Sequence, residues 1–335
     1  EDGIRDVAVT GVQTCALPIS VDLSNGSNAI ANASGSASAS YSLVDSLTLT
    51  LGNVTAGTTA SVSAPTLTAA GSIAAPTVSL TASTGTLGVT GTISSTATAN
   101  LAGAGGISGS TGKILGSGSL SAISTGGSVD LSNGSNAIAN LSGSASTSFN
   151  VGDSVNLTVG AVTAGTTASV SAPTLTAAGS IAAPTVSLTA STGTLGITGT
   201  ISSTATANLA GAGGISGATG KILGKGSVSA ISTGGTVDLT NAANDIANAS
   251  GSASTTFNLV DVSALNVGNV TAGTTATVSA PTMTVSGTLT APTVSLTAST
   301  GTLGITGTIS STETADRKST RLNSSHGYIS YAVFC

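Results

Sequence analysis

The sequence predicts an all-β chain wound as a parallel β-helix, a β-solenoid drawn out into an elongated rod. Three observations predict it. Apolar residues alternate with Thr and Ser over short runs, the pattern returns every 108 residues, and bulky side chains are scarce, with no Trp and 2% aromatics in 335 residues. Strands built this way can hide a thin apolar seam but cannot fill a broad core.

The strand signal comes first. Leu47, Leu49 and Leu51 alternate with Thr48 and Thr50, Val78 and Leu80 alternate with Ser79 and Thr81, and Leu87, Val89 and Ile93 continue the pattern. Period two over short runs of Val, Ile, Leu and Thr marks half-buried strands. Clusters such as "SNGSN" at 24–28, "AGTT" at 56–59 and "STG" at 83–85 separate them. These are turn formers, Gly for its backbone freedom and Asn for side-chain bonds back to the main chain. No window shows the three-and-four apolar spacing of a helix.

The repeat comes next. "VDLSNGSNAIAN" begins at Val21, recurs at Val129 and returns as "VDLTNAANDIAN" at Val237. The first two copies agree at 93 of 108 positions, and residues 54–88 reappear unchanged as 162–196. The repeats therefore span 21–128, 129–236 and 237–315, the last cut short.

A sandwich needs large side chains to fill a layer about 10 Å thick. Beyond aliphatics and Ala, the repeats offer only Tyr41, Phe149, Phe257 and Met283. A solenoid needs less, because each strand pairs with its equivalent one coil on, at about 4.8 Å, with small aliphatics stacked inside. At roughly 20 residues per coil, a repeat makes about five coils and residues 20–315 about fourteen. Low charge fits stacking too, since identical charged positions would lie one strand spacing apart.

Both ends depart from this composition. Residues 1–19 and 316–335 hold both Cys (Cys15, Cys335), the single His (His326) and four of the seven basic residues. Glu1 to Ile19 can be encoded by a nucleotide string whose reverse complement encodes Asp316 to Phe334, codon for codon. That string resembles an indexed adapter of short-read sequencing libraries. The two ends are accordingly expected to be adapter-derived, to lack a native fold and to flank a fragment of a longer protein. What remains, 20–315, has Lys113, Lys221 and Lys225 against seven Asp and one Glu, with no Cys, His, Trp or Arg.

Such a set of residues predicts a chain that is not an enzyme. Serine is abundant, but without His the activated-nucleophile arrangement lacks a base. Asp22, Asp130 and Asp238 recur at one phase, and Asp45, Asp153 and Asp261 at another. An acid pair per repeat is thus conceivable, yet identical pairs at fixed intervals along a rod read as structural. Cys and His ligand spacings are absent from 20–315, as is the Gly- and Asp-rich calcium nonapeptide, so neither metal nor cofactor is expected. "GAGGISGSTGK" at 103–113 superficially suggests a phosphate loop. Its glycines are wrongly spaced, Ile114 stands where a hydroxyl is required, and no helix signal follows. An acidic balance without Arg opposes nucleic-acid binding. The aromatics Tyr41, Phe149 and Phe257 read as core or coil-end plugs. Asn25, Asn28 and Asn32, with Asn133, Asn136 and Asn140, read as turn ladders before ligand contacts. No catalytic, cofactor-binding or metal residue is assigned.

"VDLSNGSNAIANLSGSAS" at 129–146, "LTVGAVTAG" at 157–165 and "TVSLTASTGTLGITGTI" at 185–201 resemble the repeat region of large exported adhesins of the filamentous haemagglutinin type. The similarity covers 20–315. It implies a right-handed parallel β-helix passenger, exported by two-partner or autotransporter secretion with an outer-membrane partner, and secreted or displayed at the surface of a Gram-negative cell. A Cys-free chain suits passage through an outer-membrane pore, where disulfides would obstruct threading. The expected role is a structural shaft, with host or neighbouring-cell glycan or protein engaged by the full-length protein. The alternative is a Thr-rich solenoid binding a regular surface, glycan or ice, which needs Thr aligned on one face through many coils. A cut solenoid exposes unpaired strand edges, so end-to-end self-association is expected when the chain is produced alone.

Overall fold

The computed structural model describes residues 19–319. Among them are 35 strands and no helix. Strands pair in parallel, as between Ser40–Val44 and Thr59–Ala64, and between Thr59–Ala64 and Thr77–Ala82. Tyr41 stands over Val21 and is followed coil by coil by Ala60, Val78, Ala99, Leu120, Leu141 and Val159. This is a β-solenoid of about 15 coils. At about 4.8 Å per coil the rod is about 70 Å long.

Alternation decides what goes inside. Thr59–Ala64 and Thr77–Ala82 both bury every second residue, so Ala60, Val62 and Ala64 stack under Val78, Leu80 and Ala82. These inward residues join one continuous apolar cluster running the length of the rod. Each fully buried Val or Leu contributes about 1.5–3 kcal/mol relative to exposure. Corners belong to small residues. A Cβ added at Gly91 would collide with the carbonyl oxygens of Gly71 and Ala70 in the coil below. Gly106 and its equivalent Gly214 hold φ of 134° and 135°, a region that side chains disfavour.

The coil has three sides. Leu49–Ala56 bends at Gly52, so that 49–51 pair with Leu67–Ala69 while 54–55 pair with Ser72–Ala74. Beneath it, the single strand Asn32–Ala37 supports both halves, with a register shift between Ala33 and Gly35. One ladder has split into two. The same split recurs above Ala137–Ala145 and above Asp245–Ala253. Each split is matched by an ending. The third ladder runs from Val54 through Ile73, Ile93 and Ile114 to the start of Ala137–Ala145, where pairing stops.

These faults give the repeat a half-coil offset that the sequence reading did not foresee. Phe149 stands five coils above Leu49, over Leu67, Leu87, Ile107 and Val129. It is therefore not above Tyr41. Phe257 stands five coils above Leu157, whose strand continues the Tyr41 ladder at Val159, six coils up. Two repeats thus occupy eleven coils and one occupies five and a half, against the expected five. Equivalent residues alternate between two sides of the coil, the Tyr41 ladder and the Leu49 ladder, and the aromatics do not share one phase of the coil.

At its upper end the strand Thr314–Ser319 pairs with Thr293–Ala298 as far as Ser319. It therefore runs four residues past the boundary expected at Ala315. Parallel pairing recruits backbone groups whatever the side chains, which is why Arg317 can sit on Leu296 and Lys318 on Thr297. Lys318 and Asp316 form an ion pair at 3.0 Å. Residues 1–18 and 320–335, with Cys15, His326 and Cys335, lie outside the described residues.

Candidate functional site

The polar groups that recur once per repeat converge on the ladder ending. Asn136 is 0% exposed. Its Oδ1 accepts from Ile114 N in the coil below at 2.8 Å, and its Nδ2 donates to Leu131 O at 2.9 Å and Gly152 O at 3.0 Å. One amide so ties three stretches of chain. Asn244 repeats the arrangement with Ile222 N, Leu239 O and Val260 O, and Asn28 bonds Leu23 O and Val44 O.

Asp153 completes the bracket. Its Oδ2 accepts from Ile138 N at 2.9 Å and its Oδ1 from Val155 N at 2.8 Å. Ile138 is the last residue of the third ladder, so the carboxylate takes the place of the strand that would otherwise have followed. Ser154 N and Oγ both donate to Asn136 O, which meets the neighbouring carbonyl. Asp45 holds Ile30 N and Leu47 N, and Asp261 holds Ile246 N and Ser263. An uncapped edge would template pairing with another chain.

The bracket costs desolvation. Asp153 is 8% exposed, and burial pushes its carboxyl up to about 6, over the opposing pull of the amides of Val155, Ile138 and Ser154. Burial raises Asp261 as well. The other series of acids bonds elsewhere. Asp22, Asp130 and Asp238 turn back on their own chain, accepting from the backbone of Ser24, Ser132 and Thr240. Among the described residues no three His, Cys, Asp or Glu side chains stand together as a metal site would need.

The remaining candidates are held by packing and local hydrogen bonds. Phe149 and Phe257 are buried, each lying on the glycine six positions earlier, so a Cβ at Gly143 or Gly251 would meet the ring at 2.7 or 2.9 Å. Tyr41 packs over Gly35 in the same way, and burial raises its phenol. Asn25 and Asn133 close turns onto Ser27 and Ser135. Asn140 faces Ser119 and Thr158 on an outward rank. Asn32 opens its strand beside Thr50. Lys113 begins a strand, not a helix, and the glycine run before it packs coil on coil, with Gly112 against Val89 O.

Two surfaces remain. The rank Thr59, Thr77, Thr98 runs three coils before giving way to Ser119 and Asn140. Its equivalent Thr167, Thr185, Thr206 stands on the other side. The long single-face alignment that an ice or crystal binder needs is therefore interrupted. A shallow groove of about 420 Å³ lies over the ladder ending, with Leu115, Ala137 and Val155 in its floor and Ser94, Thr96 and Asn156 around it. The union of Asn28 with Asp45 into one bracket escaped the sequence reading. Its signal was their separation by 17 residues, nearly one coil, in every repeat.

No protein-family model matches the chain, and no curated protein or solved structure is similar to it.

Proposed function

We propose that the chain is a stretch of structural shaft from a large exported adhesin of the filamentous haemagglutinin type. In this reading it holds a binding tip away from a Gram-negative cell surface, having crossed the outer membrane through a secretion partner. One observation carries the reading. The recurrent polar side chains Asn136, Asp153 and Asp130, with their equivalents, are spent on backbone groups of their own or adjacent coils, as scaffold residues are.

A shaft sets distance, and length is its measurable output. Electron micrographs of chains with one, two and three copies should show rods growing by about 26 Å per copy. Compact particles whose length ignores copy number would overturn the shaft. Export is tested separately by placing a two-partner secretion signal segment ahead of the repeats. Material should reach the medium only from cells that hold the cognate pore, and retention despite the pore would count against the export reading.

A further inference from the structure

The turn that leads into each bracket is built the same way in all three copies. Asn136 N donates to Asn133 O at 3.1 Å, closing a tight turn over Gly134 and Ser135, and Asn28 with Asn25 and Asn244 with Asn241 do the same. The side chain of the first residue folds back inside that turn. Oδ1 of Asn133 accepts from Ser135 N at 2.9 Å, that of Asn25 from Ser27 N at 3.0 Å and that of Asn241 from Ala243 N at 2.8 Å. An asparagine so folded brings its amide carbon close to the nitrogen of the next residue. That residue is Gly26 in the first copy and Gly134 in the second, but Ala242 in the third.

We propose that Asn133, and Asn25 in the first copy, are self-modification sites whose side-chain amides close onto the following glycine, lose ammonia and become acids. Gly134 N gives its proton to water and bonds to Cγ of Asn133. The oxygen that turns negative is then Oδ1, which Ser135 N already holds, and a donor placed in advance at such an oxygen lowers the barrier. The Cγ–Nδ2 bond breaks, and Nδ2 leaves as ammonia with a proton taken from water. Water next opens the cyclic imide. Cleavage at Cγ gives aspartate, and cleavage at the main-chain carbonyl gives isoaspartate. Among the described residues Gly134 N has no hydrogen-bond partner, and space is open around the glycine. A side chain crowds this approach and stiffens the backbone, as Ala242 does in the third copy.

The product loosens the ladder ending. Nδ2 of Asn133 donates to Gly112 O at 2.7 Å and to Thr111 O at 3.2 Å in the coil below. A carboxylate only accepts, so both carbonyls would lose their donor and face a negative charge. Isoaspartate also lengthens the main chain inside the turn that carries Asn136, on which Ile114 N, Leu131 O and Gly152 O depend. The rod thus ages from its brackets. This inference does not depend on the shaft reading or on export.

Peptide mass mapping of the full chain, held folded at pH 8, tests it. Asn133 and Asn25 should gain the mass of amide-to-acid conversion, with ammonia released in equal amount, about tenfold faster than Asn241 in the same sample. Gly134→Ala should slow Asn133 to the rate of Asn241 and leave Asn25 unchanged. That variant keeps the fold, since nothing lies within 4 Å of the added Cβ and Ala242 already stands at the equivalent position. Ala242→Gly should speed Asn241 to the rate of Asn133. Asn133→Asp should quicken hydrogen exchange at 111–114 and 136–138 without waiting for the reaction. An Asn133 that stays an amide in the folded chain, an Asn241 that converts as fast, or glycine exchanges that change neither rate would each overturn the site. Unaltered exchange in Asn133→Asp would overturn the loosening.

Discussion

The coils between Thr59 and Gly103 and the junction between Leu131 and Ala164 use the same residues differently. In the plain coils each strand is paired along its length with the strands above and below, and side chains only sort themselves inward or outward. At the junction one ladder ends and another begins, and Asn136 and Asp153 bond what the missing strand would have bonded. Plain coils need apolar volume. The junction needs hydrogen bonds that no apolar residue can make, and there a buried charge is tolerated.

The largest break should come at Asn136. Replacing it by Ala leaves Ile114 N, Leu131 O and Gly152 O without their partner, at about 1–3 kcal/mol for each buried group, or about 5 kcal/mol together. Urea unfolding should show this loss, and amide exchange should localise it to coils 114–152. A loss below about 1 kcal/mol would mean that water replaces the amide.

Next comes acidity. Asp153 is raised from 3.8 to about 6 by burial, so the folded chain holds a proton that the unfolded chain has lost. Stability from this group is full below pH 3.8 and lost as pH rises through 6, a fall on the order of 3 kcal/mol. Asp261 acts in the same direction. The urea midpoint should therefore be higher at pH 4 than at pH 7, and the dependence should weaken in Asp153→Ala. A midpoint that instead falls in acid would show that the two amide bonds outweigh desolvation.

Ser203 sharpens the contrast from the ladder that starts at Val162, the equivalent of the third ladder in the second repeat. Its Oγ is buried without a hydrogen-bond partner, so Ser203→Ala should be neutral or stabilise by about 1 kcal/mol. Thermal unfolding that dropped by several degrees would instead reveal a bound water. The smallest effect belongs to the plain coils, where Ser79→Ala on the outward face should stay within about 0.5 kcal/mol in the same assay.

The strands were legible because inward and outward residues alternate strictly wherever Thr, Val and Ser follow one another, as in Thr77–Ala82. The narrow interior was legible from the scarcity of rings. The half coil was not, because coils vary in length. Tyr41 to Ala60 takes 19 residues, and Val78 to Ala99 takes 21. A period of 108 divided by a mean of about 20 hides the remainder. The bracket was half legible. Asn28 and Asp45 were each seen to recur, but turn propensity and acid chemistry describe residues singly. Only the coil brings Ile30 N to Asp45. The strand continues past Ala315 because pairing follows backbone geometry, which carries Arg317 and Lys318 along.

The offset of five and a half coils also makes copy number a matter of parity. Gain or loss of one 108-residue unit by recombination between near-identical copies would leave the coils continuous, yet turn everything beyond the crossover to face the opposite way. Gain or loss of two units would restore the original heading and change only the reach.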